Sequence, residues 1–160
     1  MSTTSTNYGT RTQFSAESNL TSLGNNAAKP LGQVSNASEL AVNYAFYLEM
    51  KLAAASVSAD GTIEVYLLEK DDNSADKWTD GIDGDTTSDS ASSLKNAKPL
   101  FTLDANANGQ VVAFHGRLRD YVSDVPKYWS LLVLNKSGQA LTGTGGDHDA
   151  YYTPIHGTIA

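Results

Sequence analysis

Cysteine is missing from all 160 residues of this chain, which excludes disulfides, thiol catalysis and cysteine-ligated zinc. Cations are scarce as well. Eleven Lys and Arg stand against eighteen Asp and Glu, for a net charge of −7. Contacts to a phosphate backbone need clustered basic side chains, and these are scattered, so no nucleic-acid partner is expected. Long hydrophobic runs are also lacking. The longest, Tyr128 to Leu134, is far shorter than the ~20 apolar residues a membrane helix needs, so no membrane partner is expected. The opening Met-Ser-Thr-Thr-Ser-Thr-Asn has neither a basic nor an apolar segment, so no secretory signal is expected. No stretch carries a convincing helical period, and no internal repeat is visible.

What the chain does contain is alternation. Leu40, Val42, Tyr44, Phe46, Leu48, Met50 and Leu52 occupy every second position, with Ala41, Asn43, Ala45, Tyr47, Glu49 and Lys51 between them. Successive strand side chains point to opposite faces, so this pattern predicts one long strand with an apolar face on a core, bending near Ala53. Asp60-Gly61 and Asn108-Gly109 are hairpin-type turn signals. Thr62–Lys70 reads as a strand with Ile63, Val65 and Leu67 on one face, while Tyr66 and Leu68 imply partial cover on the other. Pro99–Leu103 and Gln110–Leu118 follow, the latter with Val112, Phe114 and Leu118 inward and Val111, His115 and Arg117 outward. Tyr128–Asn135 is apolar on both faces, as a central strand should be. After a turn at Ser137-Gly138, Tyr151–Ile159 is the last strand, and Pro154 argues for an edge position. Six to eight such strands predict an all-β, antiparallel β-sandwich or jelly-roll-like fold.

Residues 1–38 differ in composition, being rich in Ser, Thr, Asn and Gly. Phe14, Leu20, Leu23, Leu31 and Val34 are too dispersed there to make a core of their own. The expectation is an extended polar N-terminal arm, 1–38, ahead of a sandwich domain, 39–160. The alternative is a disordered tail. On the arm reading, Phe14, Leu20 and Leu23 anchor it to another surface, and removal of residues 1–37 leaves the sandwich folded.

Groups able to do chemistry are few. Asp71, Asp72, Asp76, Asp80, Asp83, Asp85 and Asp89, interspersed with Gly81 and Gly84, have the oxygen-rich character of a calcium loop. Their spacing matches no EF-hand, and a solvated acidic loop is the plainer reading. Asp147-His148-Asp149 has the right ligand types, but three adjacent residues rarely converge on one ion, so a surface turn is expected. His115 and His156 lie on strands without a nucleophile motif. Gly143-Thr144-Gly145-Gly146 fits neither a phosphate loop nor a dinucleotide fingerprint. Glu49, Glu64 and Glu69 are candidates for a glycosidase pair only if folding brings two of them together. No catalytic, cofactor-binding or metal-binding residue is assigned, no cofactor is expected, and the chain is read as not an enzyme. Binding is the better prospect. Tyr47 falls on the polar face of its strand, Trp78 sits within the acidic loop, and Tyr151 and Tyr152 point to opposite faces. With Phe14, Leu20 and Leu23, the residues Tyr47, Trp78 and Tyr152 are the expected partner contacts.

Three stretches carry a resemblance: Asn43 to Met50, Val57 to Leu68, and Tyr128 to Asn135, the last followed by the turn Ser137 to Leu141. In these the chain resembles the small proteins that decorate or cement the heads of tailed bacteriophages, over about two thirds of its length. The resemblance implies a jelly-roll-like cement protein, assembled in the host cytoplasm and carried on the virion head surface. Its partners would be the major capsid protein or other virion proteins, and it would itself form a dimer or trimer. It brings no active site. The alternatives are a tail, neck or head-fibre component, or a carbohydrate-binding sandwich that stacks sugars on Trp78, Tyr47 or Tyr152.

Overall fold

The computed structural model describes residues 4–73, 78, 89–90, 94 and 97–159. Its strands are β1 (Thr4–Tyr8), β2 (Thr12–Gln13), β3 (Ala27–Pro30), β4 (Val34–Ser35), β5 (Asn43–Lys51) and β6 (Thr62–Lys70), followed by β7 (Asp89–Ser90), β8 (Lys98–Asp104), β9 (Val111–Arg117), β10 (Tyr128–Lys136) and β11 (Asp149–Ile159). Two short 3-10 turns, Glu17–Leu20 and Leu118–Asp120, are the only helical pieces among the described residues.

All strand pairs are antiparallel and fall into two sheets. The first runs β1–β11–β5–β9, with β2 continuing β1 along β11. The second runs β7–β3–β10–β6–β8, with β4 continuing β3 along β10. Let β1/β2 and β3/β4 each count as one broken strand, and set the short β7 aside. The sheets then read 1-8-3-6 and 2-7-4-5 in chain order, which is the strand order of a jelly roll.

The alternation of β5 works as the sequence implies. Tyr44, Phe46, Leu48 and Met50 point inward and are buried. Across from them lie Ile63, Val65 and Leu67 of β6 and Trp129, Leu131 and Val133 of β10. β10 is buried over almost its full length because sheet neighbours flank it on both sides and both of its faces are covered. Its outward residues Leu132 and Leu134 join Ala28, Leu68, Trp78, Leu94 and Ala97 in a second, smaller apolar cluster. The Tyr66 and Leu68 face of β6 is therefore covered, with Tyr66 packed against this cluster.

Four expectations need correction. First, residues 4–35 are not an arm lying on another surface, because they supply β1 to β4 and complete both sheets. Phe14, Leu20, Leu23, Leu31 and Val34 are dispersed in sequence, yet all enter the main core. Each fills a place between the sheets, so they need no core of their own. Second, Asp60-Gly61 and Asn108-Gly109 turn the chain but close no hairpin. The first lies between β5 and β6 and the second between β8 and β9, and each of those pairs is split between opposite sheets. The crossing buries one apolar face from each strand against the same core. Gly61 is required by close approach: a Cβ there would lie 2.5 Å from the Ala105 carbonyl and 2.8 Å from that of Ser137.

Third, Pro154 lies on an interior strand, since β11 pairs with β5 on one side and with β1 and β2 on the other. Its carbonyl accepts from Gly9 N at 2.8 Å, on the side where the edge is broken between β1 and β2. The missing proline donor thus coincides with the break, and the ladder loses little. Fourth, the apolar alternation starts too early. β5 begins at Asn43, while Leu40 and Val42 are exposed, Leu40 by 76% and with a positive φ of 49°.

Candidate functional site

The inward positions of the first sheet make core, so its outward positions form the surface on which a partner or ligand can bear. The register fixes which of them are neighbours. Tyr151 of β11 stands opposite Gln13 of β2 on one side and Tyr47 of β5 on the other. Tyr47 in turn stands opposite His115 of β9. One transverse row, Gln13–Tyr151–Tyr47–His115, therefore crosses four strands. Beside it, Thr153, Ala45 and Arg117 form a second row, and Asp149, Glu49 and Ala113 a third.

Arg11 sits in the break between β1 and β2 and folds back over the first row. Its guanidinium lies 3.9 Å from the ring centre of Tyr151 and 5.7 Å from that of Tyr47, a cation–π arrangement that holds the side chain against the sheet. The Tyr47 hydroxyl donates to the Glu49 carboxylate, and this hydrogen bond raises the Tyr47 pKa above its ordinary value. At the far side, Arg117 donates to the Tyr8 hydroxyl at 3.0 Å. Ala45, the small residue at the middle, floors two adjoining shallow hollows of about 520 Å³ each. Arg11, Tyr47, Tyr151, Asp149 and Thr153 wall the first, while Tyr8, Gly116, Arg117 and Asp120 wall the second. His115 borders both. The result is a rigid strand-borne surface of tyrosines, arginines, a histidine and carboxylates, suited to polar and stacking contacts.

Of the expected contact residues, only Tyr47 lies on this surface. Phe14, Leu20 and Leu23 are buried in the chain's own core, because two sheets without them would leave an open side, and they cannot reach a partner. Tyr152 points inward, its ring 5.1 Å from Phe14 and 6.1 Å from Trp129. Trp78 is 2% exposed, packed in the second cluster with Lys70 Nζ 4.8 Å from its ring centre. Neither Trp78 nor Tyr152 is a free stacking platform. Arg11, His115, Asp149 and Tyr151 were not singled out as contacts. The alternation around Tyr151 carried a signal for that residue, whereas nothing local in sequence brings Arg11 to it.

The other constellations resolve as follows. Asp147-His148-Asp149 is a pinning knot, not a loose surface turn. His148 is buried, with Nδ1 3.4 Å from Lys51 N and Nε2 3.1 Å from Thr142 O. The Asp147 carboxylate accepts from Thr142 Oγ1 at 2.9 Å and from Lys51 Nζ at 3.1 Å, and these bonds lower its pKa. Glu49 and Glu64 project from the outer faces of opposite sheets and cannot act on one bond. Burial alone would raise the Glu64 pKa, but hydrogen bonds from Lys136 at 2.8 Å and from Tyr66 outweigh it and lower the value. Burial first, then the Glu64 carboxylate, pushes the Tyr66 hydroxyl up to about 12. Of the acidic loop, Asp76, Asp80, Asp83 and Asp85 lie outside the described residues. Among the described residues, no group of three or more His, Asp or Glu is placed to hold a metal ion, and no helix is long and apolar enough to cross a membrane.

No family model matches this chain, and no match was found among curated proteins or solved structures.

Proposed function

We propose that this chain is a non-enzymatic structural domain that decorates the head of a tailed bacteriophage, seated on shell protein through the outer face of its first sheet. The carrying observation is the outward-facing row Tyr151–Tyr47–His115, its two tyrosines half-buried and its histidine exposed, with Arg11 laid over it. Tyrosine and arginine on a rigid backbone dominate protein interfaces, because they add contact area and hydrogen bonds at little entropic cost. Support for the virion setting comes from the resembling stretches, which correspond to β5, to β6 with the turn before it, and to β10. The jelly-roll order is also one that capsid domains use, though fold alone carries no function. Attachment then depends on this sheet face and not on a detached arm.

Co-sedimentation with head shells lacking the protein tests the proposal. Wild type is expected to pellet with the shells, and Tyr47→Ala or Tyr151→Ala to weaken binding about tenfold or more. Both variants should keep the wild-type melting behaviour, since neither ring belongs to the core. Undiminished binding of both variants contradicts the docking face, and failure of wild type to bind contradicts the decoration role.

One observation favours saccharide binding as a second reading: Tyr47 and Tyr151 stand side by side over a hollow edged by Asp149. Against it, Arg11 already covers a face of the Tyr151 ring. Glycan-array binding that disappears in Tyr47→Ala, without any binding to shells, would favour this reading over decoration.

A further inference from the structure

Leu40 is the most exposed large apolar side chain among the described residues, and Val42, two positions on, is another of the few. Leu40 also adopts a left-handed backbone conformation that leucine disfavours. Neither property follows from a mobile tip, because the turn is tied down. Asn36 Oδ1 accepts from Ala41 N at 2.8 Å and from the Tyr44 hydroxyl at 3.0 Å, and its Nδ2 donates to Ala41 O at 3.2 Å. Asn36 N donates to Lys127 O at 2.8 Å, and Val42 N to Ile155 O at 2.9 Å. The fold thus holds a strained leucine out in solvent in one fixed pose.

Next to this peg is a hole. Ala41, Val42 and Val125, with Asn36, line a hollow of about 280 Å³ whose other walls are Arg119 and Asp124. That volume accommodates a leucine side chain. Among the described residues, neither Arg119 nor Asp124 takes part in an ion pair.

We infer that this turn is a self-association site: a second copy of the chain, related by a two-fold axis, inserts its Leu40 into the hollow and receives Leu40 of the first copy into its own. A two-fold interface demands a patch complementary to itself, and a peg adjoining its own hole satisfies that demand. The charges suit such a pairing: Arg119 and Asp124 wall the same hollow, and in the proposed arrangement Arg119 of each copy faces Asp124 of the other. The patch is distinct from the Tyr47 face and leaves that face free. The inference does not rest on the virion reading, and either can fail without the other.

Sedimentation equilibrium on the full chain tests it. Wild type is expected to show a reversible monomer–dimer equilibrium. Leu40→Gly removes the peg while suiting the left-handed backbone, so the fold should melt no lower, and the dimer dissociation constant should rise about tenfold or more. Arg119→Asp alone should weaken the dimer, and Arg119→Asp with Asp124→Arg should restore it. A wild-type chain that stays monomeric up to about 0.5 mM, well above a micromolar dissociation constant, overturns the inference. Unchanged dimerisation of Leu40→Gly, or a charge exchange that restores nothing, overturns it equally.

Discussion

Phe14 lies between the two sheets at 2% exposure, its ring edge-on to Trp129 and Tyr152 at 5.8 and 5.1 Å. Its neighbours in sequence, Gln13 and Ser15, are polar and exposed, so nothing local distinguishes a core anchor from a lone apolar residue in a tail. Burial of Phe14 is decided by strands far away in sequence, which is why the sequence misleads here. Phe14→Ala is expected to cost about 3–5 kcal/mol of stability, the range for truncating a buried phenylalanine. Urea unfolding followed by tryptophan fluorescence measures this. A shift below about 1 kcal/mol, the range of surface substitutions, would mean that the ring is not core. Leu40 is the opposite case, since alternation assigns it to the core and the turn held by Asn36 turns it outward.

Among elements, those with strong alternation or continuous apolar character were legible: β5, β6, β9 and β10 lie close to where their patterns place them. The short strands β1 to β4 were not, because two to five residues cannot establish a period and each is recruited by a longer neighbour. Their removal is the sharpest consequence. Deleting residues 1–37 takes away β1 to β4 and five side chains of the main core, so the truncated chain is expected to lose cooperative unfolding and near-ultraviolet dichroism. A folded truncated domain would show that these strands are dispensable.

The Thr142–Asp147–Lys51 knot ties the stability of the fold to pH. Asp147 and Glu64 both have carboxyls held below their ordinary values, so their stabilisation is fully present above about pH 5, just past the ordinary carboxylate range. It is lost as pH falls through their lower folded values. Thermal melts from neutral to acid should therefore show stability falling below about pH 5. Asp147→Asn should lower stability at neutral pH and flatten that acid slope, whereas an unchanged slope would remove Asp147 from the acid response.

For the molecule as a whole, the all-β sandwich and its antiparallel sheets could be read from alternation and turn signals, but the wiring could not. A turn signal marks a reversal without saying whether the strands on either side pair or cross to opposite sheets, and here the Asp60-Gly61 and Asn108-Gly109 turns both cross. The proposed docking face has the same origin. Gln13, Tyr151, Tyr47 and His115 become one row only when β2, β11, β5 and β9 lie side by side. A jelly roll closes its core with both ends of the chain and leaves broad sheet faces outside it, an arrangement suited to bearing on a flat protein lattice in many copies. Copy number is therefore the decisive quantity. Quantitative mass spectrometry of purified phage particles, scaled to the major shell protein, should find this chain in a high, fixed ratio to it, retained on heads separated from tails. Absence from particles, or a few copies that remain with the tail, would contradict the decoration role.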